Sequence, residues 1–124
     1  MRRVLFLVSL LCLAAGPVFA QDPVKVDAKH FKVEFENDQV RVLRYKAAPH
    51  EKSPMHEHPA AVVISLTAGT TTFTMPDGTT SQMTSQAGQV TWRPAEKHAA
   101  AHGDKAVEAI LIELKGPKPP AKGK

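Results

Sequence analysis

Three histidines carry the clearest metal-binding chemistry in this sequence. His56 and His58 are separated by one residue and precede an apolar, β-branched run, which predicts a strand. Alternate side chains of a strand share a face, so two imidazoles about 7 Å apart along it can converge on one ion. His98 is the best candidate for a third neutral nitrogen ligand. The alternative is a histidine pair on a solvated strand edge that binds nothing.

The segments around these histidines predict an all-β domain, a sandwich or a barrel. Short alternating or apolar runs are separated by turn signals, and none has the period of an amphipathic helix. Asp77-Gly78 is the strongest hairpin signal and favours a type I′ turn. Residues 95–104, around His98, are expected to form a loop or strand end. Besides the histidine strand, the predicted strands cover residues 31–35, 40–45, 61–67, 70–75, 79–84, 89–93 and 106–114.

The beginning of the chain has the pattern of a secretory signal peptide. Arg2 and Arg3 precede an apolar run, and small residues follow it up to Ala20. We therefore expect residues 1–20 to be a signal peptide that is cleaved after Ala20, and the mature protein to be exported. The apolar run is too short for a stable membrane anchor. The only cysteine, Cys12, leaves with this segment, so the mature chain has no disulfide.

The remaining residues divide into three parts. Residues 21–29 are a polar lead-in, residues 30–115 are the predicted β domain, and residues 116–124 are a basic Pro/Lys tail expected to be disordered. The net charge of +4 comes from the two ends of the chain. Basic residues are scattered and have no aromatic residues among them, which argues against a nucleic-acid partner.

The spacing around the histidine pair resembles the first motif of the cupin family, G-x5-H-x-H-x(3,4)-E-x6-G. His56, His58 and Gly69 match this motif. His50 stands where the motif begins with glycine, and Val62 stands where the family has a ligand glutamate. The carboxylate ligand of the family therefore has no counterpart at this position.

A second unit about thirty residues later resembles the second cupin motif, G-x5-P-x-G-x2-H-x3-N. Gly88, Pro94 and His98 match it, although the gap from proline to histidine is one residue shorter. Glu96 replaces the motif's second glycine, and His102 takes the place of its asparagine. The two motifs together extend the resemblance over about residues 31–114.

The resemblance implies a small antiparallel jelly-roll barrel with one divalent metal ion in its mouth. The ligands it implies are His56, His58 and His98, with His102 as a candidate fourth ligand or hydrogen-bond partner of a ligand. Three neutral imidazoles leave coordination positions open, and this set suits iron, zinc, copper, nickel or manganese.

Several functions are compatible with this pattern. The resemblance implies a metal-dependent oxygenase or isomerase acting on a small organic molecule. The alternative is a non-catalytic protein that binds a small ligand or sequesters copper, which Met55 beside His56 would favour. A metal-free structural domain is the third interpretation. The resemblance also allows a homodimer, because similar cupins often dimerise.

Other residues that attract attention have simpler interpretations. His30 and His50 are expected to be exposed. Glu96 is expected to form a surface pair with Lys97. Trp92 and Phe73 occupy strand-interior positions and are expected to lie in the core, with a place in a pocket wall as the alternative.

Overall fold

The computed structural model describes residues 21–117, which form nine strands in two antiparallel sheets and one short helix. The five-stranded sheet has the order β1-β2-β9-β4-β7, and the four-stranded sheet has the order β3-β8-β5-β6. The strands are β1 (Phe31–Glu36), β2 (Val40–Ala47), β3 (Lys52–His58), β4 (Ala61–Ser65), β5 (Gly69–Thr74), β6 (Thr80–Ser85), β7 (Val90–Arg93), β8 (Glu96–His102) and β9 (Val107–Leu114).

The predicted all-β sandwich is confirmed, and its core lies between the sheets. Strand alternation places one side of each strand inward, and the buried cluster is centred on β1, β2 and β9. Leu43 of β2 is fully buried. The cluster comprises Phe31, Leu43, Tyr45, Ala47, Ala109 and Leu111.

The lead-in folds onto the sandwich through one helical turn, α1 (Pro23–Val26). Asp22 caps this turn, because its Oδ1 accepts a 3.0 Å hydrogen bond from the Val24 backbone N–H. The same carboxylate is bidentate with the guanidinium of Arg41 on β2. The carbonyl of Gln21 accepts from the backbone N–H of Glu57 on β3. The lead-in is therefore bound to both sheets.

The expectation that residues 95–104 form a loop or strand end is wrong. Most of this segment is β8, which pairs with β3 on one side and with β5 on the other. Ladder hydrogen bonds and two neighbours stabilise the extended conformation of its alanine run, which on its own is no strand signal. β3 also begins earlier than expected, at Lys52.

The Asp77-Gly78 hairpin is confirmed, but its turn is not type I′. Gly78 has φ +85°, whereas Asp77 does not have positive φ, because His50 is the only such non-glycine residue in the described part of the chain. The backbone N–H of Gly78 donates to the carbonyl of Met75. Pro76 fixes a negative φ at the first central position, which a type I′ turn excludes.

A β-bulge in β1 changes which way Phe35 points. The register of β1 on β2 shifts between Val33 and Phe35, so that Phe35 pairs with Val42. Val42 lies on the outer face of the sheet, opposite in parity to the buried Leu43. Phe35 is 54% exposed for this reason. Trp92, which was expected in the core, likewise lies on the outer face and is 56% exposed.

Within residues 21–117, no helix is both long and apolar enough to cross a membrane. The predicted signal peptide and most of the predicted tail lie outside the described residues, so both stay predictions.

Candidate metal site

Strand pairing brings the three predicted histidine ligands together. His56 and His58 point inward from β3, and His98 of β8 stands directly opposite His56 in the ladder. All three are buried, with 1%, 6% and 5% of their surface exposed. His98 follows the pair by about forty residues in sequence, and the antiparallel pairing of β3 with β8 brings it next to them.

The three imidazoles lie close enough together to share one small cation. One ligand atom from each ring can be chosen so that all lie within 4.8 Å of one another. The ring centroids are 4.8 Å apart for His56 with His58 and with His98, and 5.6 Å apart for His58 with His98. Two nitrogens bound to one ion at about 2.0–2.1 Å lie no more than about 4.2 Å apart, so these rings can converge on one ion with at most a small movement.

Hydrogen bonds to the Nδ1 atoms of the pair leave their Nε2 atoms for the cation. His56 Nδ1 lies 2.7 Å from the carbonyl oxygen of Pro54, and His58 Nδ1 lies 2.7 Å from Oε2 of Glu113. The Pro54 carbonyl oxygen and an ionised Glu113 carboxylate can accept a hydrogen bond but cannot donate one. Each Nδ1 therefore carries the proton, and each Nε2 presents a lone pair. Metal-ligating histidines are usually oriented in this way.

His98 has a carboxylate beside it without a formed hydrogen bond. Its buried Nδ1 lies 3.2 Å from Oε1 of Glu96 but outside hydrogen-bonding geometry, and it has no other partner. The Arg93 guanidinium holds the same oxygen, with Nε at 2.8 Å. Burial alone would raise the pKa of Glu96, but its contacts with His98 and Arg93 outweigh burial and lower it. Glu96 is therefore an anion facing the site, and the expected surface pair with Lys97 is wrong.

Glu113 is the residue of the candidate site that sequence reasoning missed. It is 1% exposed, and its two oxygens join His58 to the guanidinium of Arg41. One hydrogen-bonded arginine–glutamate–histidine chain therefore supports the cluster at His58, whereas Glu96 lies close to His98 without a formed hydrogen bond. The run 106–114 has two carboxylates, and the available signal was that only Glu113 shares the parity of the core residues Ala109 and Leu111.

The histidines open onto a cavity of about 100 Å³ inside the sandwich. Its walls include Phe31, Phe73, Val63 and Leu111, and a group of hydroxyls lies among its lining residues. Phe73 stacks near His98, with ring centroids 4.7 Å apart, and the Arg93 guanidinium lies 4.6 Å from the Phe73 ring centre. The wall position of Phe73 agrees with the alternative expected for it.

Electrostatics keep the central histidine neutral, as a metal ligand must be. Burial, together with repulsion from His58 and His98, lowers the pKa of His56 to about 4, although the bond to Pro54 opposes this. At neutral pH the His56 imidazole therefore has a free nitrogen lone pair without losing a proton first.

His102 does not belong to this group. It lines the same cavity, but its Nε2 contacts the hydroxyl of Tyr45, and its Nδ1 lies 3.0 Å from Oγ1 of Thr71. Burial, joined by the charge of His30, lowers the pKa of His102, and burial raises the pKa of Tyr45 to about 12. Both groups are therefore uncharged at neutral pH and connected by hydrogen bonds.

One further expectation is corrected, and one position of the first motif lies outside the cluster. His30 is 6% exposed, not solvated, because its Nδ1 and Nε2 each lie 2.7 Å from a carboxylate, of Asp27 and Glu51 respectively. Val62 does not stand at an inward position, because it faces the outside of the sandwich beside Trp92. Its neighbours Ala61 and Val63 line the cavity instead, and neither supplies a carboxylate. His50 is exposed, as expected.

Neither the family models nor the curated proteins include a match to this chain. Solved structures do match. A cupin domain from Bordetella pertussis has 24% identity and a TM-score of 0.64, covering 69% of this chain and 92% of that one. The chain has the cupin fold. A cupin superfamily protein from Desulfitobacterium hafniense (20% identity, TM-score 0.53) and a double-stranded β-helix protein from Klebsiella pneumoniae (19%, 0.56) each share 69% of this chain and 76% of their own.

The double-stranded β-helix of cupins explains why the two sequence motifs meet. The first motif lies on β3 and β4, and the second runs from the turn before β7 to β8. β3 and β8 are neighbours in one sheet, whereas β4 and β7 are neighbours in the other. The cupin topology therefore brings the histidines of both motifs together on neighbouring strands.

Proposed function

We propose that this cupin binds one divalent metal ion through the Nε2 atoms of His56, His58 and His98 and uses it on a small organic molecule in the cavity. The observation that carries the proposal is the buried three-histidine cluster, with its ligand atoms within 4.8 Å of one another. Its function would be that of an oxygenase or isomerase.

The residues present fit such an ion. Three neutral nitrogen donors suit zinc, iron, nickel, copper or manganese, and they leave coordination positions open to a polar group of a substrate. A bound ion would supply Lewis acidity or redox chemistry. The chain's own groups would orient the imidazoles through Glu113 and exclude water through Phe31 and Phe73.

The copper-sequestering alternative depends on soft sulfur ligands, and the cavity offers them poorly. Met55 is not among the cavity-lining residues that the structure describes. Met83 does line the cavity, but its sulfur lies 3.9 Å from Nη1 of Arg93, a cation that repels a metal ion. The cavity therefore favours a bound organic molecule over a dedicated copper store.

Metal analysis of untagged protein tests the proposal. Alanine at His56, at His58 or at His98 should each remove most of the bound metal while the folded domain persists. Lys52→Ala, an exposed change on the same strand, should leave metal content unchanged. Metal retained after the double change of His56 and His98 would refute the site. Oxygen uptake or substrate turnover by the loaded protein would separate an enzyme from a carrier.

We further propose that the protein works after export. The support is the sequence pattern of residues 1–20, with two arginines, an apolar run and small residues before the cleavage position. Mass spectrometry of the exported protein should find Gln21 at its N-terminus. An intact chain in the membrane fraction would refute this.

A further inference from the structure

The cavity has two polar ends with an apolar middle between them. His98, Ala100 and His102 all point inward from β8 and line the cavity. His98 and His102 are four residues apart, which is about 13 Å along a strand. Ala100 lies between them and pairs with Phe73 on β5, so a methyl group and an aromatic ring form part of the middle. The candidate metal site therefore occupies one end of the cavity, and His102 lies at the other.

Four side chains form a row of hydrogen bonds at the His102 end. The Tyr45 hydroxyl lies 2.9 Å from Oγ of Ser53 and also contacts His102 Nε2. His102 Nδ1 lies 3.0 Å from Oγ1 of Thr71. Burial lowers the pKa of His102 and raises the pKa of Tyr45 to about 12, so both are uncharged at neutral pH. We call this row the His102 network, and its members in order are Ser53, Tyr45, His102 and Thr71, all of which line the cavity.

The His102 network has one more hydrogen than its own contacts use. Each of its three hydroxyls carries one hydrogen, and a neutral imidazole carries one N–H. The four groups make three contacts with one another, and each contact uses one hydrogen. One hydrogen is therefore left over, whichever ring nitrogen carries the proton. These side chains make no other hydrogen bond within residues 21–117. A buried donor without an acceptor is unfavourable, so an oxygen atom of a ligand would complete the network.

The charged residues of the cavity lie at the metal end. Among the described lining residues, Arg93 and Glu96 are the only members of the Asp, Glu, Lys and Arg classes, and they are bonded to each other beside the histidine cluster. Asp27 and Glu51, whose charges act on Tyr45, do not line the cavity. A charged ligand group at the His102 end would be buried without an opposite charge, which is costly. This end therefore favours an uncharged polar group.

The cavity admits only a small molecule. Its volume is about 100 Å³. One water molecule needs about 10–15 Å³ of such volume, so the cavity holds roughly seven to ten water-sized groups. A molecule that reaches from the histidine cluster to the His102 network therefore has on the order of ten non-hydrogen atoms at most.

We propose that the substrate has two polar ends joined by a short apolar chain, and that the end at His102 is an uncharged hydroxyl or carbonyl oxygen. This oxygen accepts the spare hydrogen of the His102 network, and the apolar chain packs against Phe73 and Ala100. The other end of the substrate occupies an open coordination position of the metal ion. The metal-bound end depends on the proposed function, whereas the end at His102 depends on the His102 network alone.

Butan-1-ol, butyrate and butylammonium test the His102 end in metal-free protein. The three compounds have similar chains and differ in the charge of the terminal group. In a titration at pH 7 with chelator present, butan-1-ol should shift the NMR resonances of the His102 ring nitrogens until they saturate. Butyrate and butylammonium should have dissociation constants at least about tenfold higher, because their charges would be buried unpaired. A charged compound that binds as tightly as the alcohol would overturn the proposal, as would an alcohol that leaves the His102 resonances unchanged.

Ser53→Ala combined with Thr71→Val tests the network itself. In this double variant the spare hydrogen lies on His102 Nδ1 or on the Tyr45 hydroxyl, and in both cases it points at a methyl group. The affinity for butan-1-ol should fall about three- to tenfold, the value of one hydrogen bond. Thr72→Val with Ser81→Ala makes the same two changes outside the cavity lining and should have no effect. Unchanged affinity in the first double variant, or equal losses in both, would refute the role of the network. If the first variant does not fold, the three compounds with the wild type still decide.

Two hydroxamic acids separate this inference from the proposed function. Pentanohydroxamic acid and 4-hydroxybutanohydroxamic acid have the same zinc-binding group and differ only in a terminal methyl or hydroxyl. Zinc-loaded protein should bind the hydroxyl compound about three- to tenfold more tightly, because the methyl leaves the spare hydrogen without an acceptor. Equal affinities would refute the His102 end and leave the metal site in place. If neither compound binds the zinc-loaded protein, the proposed function is refuted, and the titration with butan-1-ol still decides the His102 end.

Discussion

Replacing Glu113 with glutamine tests how an outer carboxylate controls a metal ligand. In the wild type, Glu113 accepts from both Arg41 and His58 Nδ1. The guanidinium of Arg41 only donates, so it holds the carbonyl oxygen of the new amide. The amide NH₂ then points at His58 Nδ1, which must accept. This moves the His58 proton to Nε2, the atom assigned to the metal.

The expected loss has two parts. Metal affinity should fall by about 10–100-fold, the usual effect of removing a partner that orients a ligand. The metal-free protein should lose about 2 kcal/mol, because a buried charge-assisted hydrogen bond becomes a neutral one. For a domain of this size that corresponds to a melting temperature lower by roughly 10 °C.

Calorimetric titration with zinc at pH 7 and thermal unfolding in chelator measure the two parts separately. Glu108→Gln is the matched control, since Glu108 lies on the same strand and pairs with Arg44 but does not contact a histidine. It should leave zinc affinity unchanged. Unchanged zinc affinity in Glu113→Gln would refute the orienting role, even if stability falls.

Four other outcomes are expected. His30→Ala should lower the melting temperature, because it leaves buried Asp27 without its imidazole partner, while zinc stoichiometry of the folded protein stays the same. His102→Ala should likewise retain zinc, and complete loss would make His102 a ligand after all. Hydrogen bonds from Lys29, the Ala48 backbone and His30 lower the pKa of Glu51 to about 2. Its stabilising contribution is therefore complete above about pH 4.5 and disappears as pH falls towards 2, so Glu51→Gln should differ from wild type in melting temperature at pH 7 and converge with it in acid. Truncation before Gly116 should shift the melting temperature by no more than a couple of degrees, and a larger drop would show that the tail packs.

Local patterns predicted most of the fold. Alternation of apolar and polar residues found β1, β2 and β7 to within a residue or two, because successive side chains of each strand lie on opposite faces. The same rule failed for Phe35, since a bulge inverts parity and leaves no mark in a single sequence. It failed for Trp92 because an apolar outer face has the same pattern as an apolar inner one. β8 was missed because alanines become extended only when two neighbouring strands pair with them.

The histidine spacing identified the candidate metal site only in part. Two residues on one strand share a face by geometry, so His56 and His58 could be paired from sequence, and the motif resemblance added His98. The partners of Nδ1 could not be found in this way, because Glu113 reaches His58 from the opposite sheet, 55 residues away in sequence. The burial of His30 likewise depends on Glu51, which lies in the loop before β3.

The docking of the lead-in onto Arg41 has a consequence for where a purification tag can be placed and for local opening of the lead-in. Asp22 accepts from Arg41, Arg41 donates to Glu113, and Glu113 accepts from His58. An unbroken series of hydrogen bonds therefore joins the second residue after the proposed cleavage point to a proposed metal ligand. Detachment of the lead-in and release of the ion are then thermodynamically linked, and each makes the other easier. A purification tag fused directly to Gln21 would disturb the docking of the lead-in and so weaken metal binding, whereas a tag at the other terminus would not. A metal ion bound at His58 would in turn slow hydrogen exchange of the backbone amides in the α1 turn.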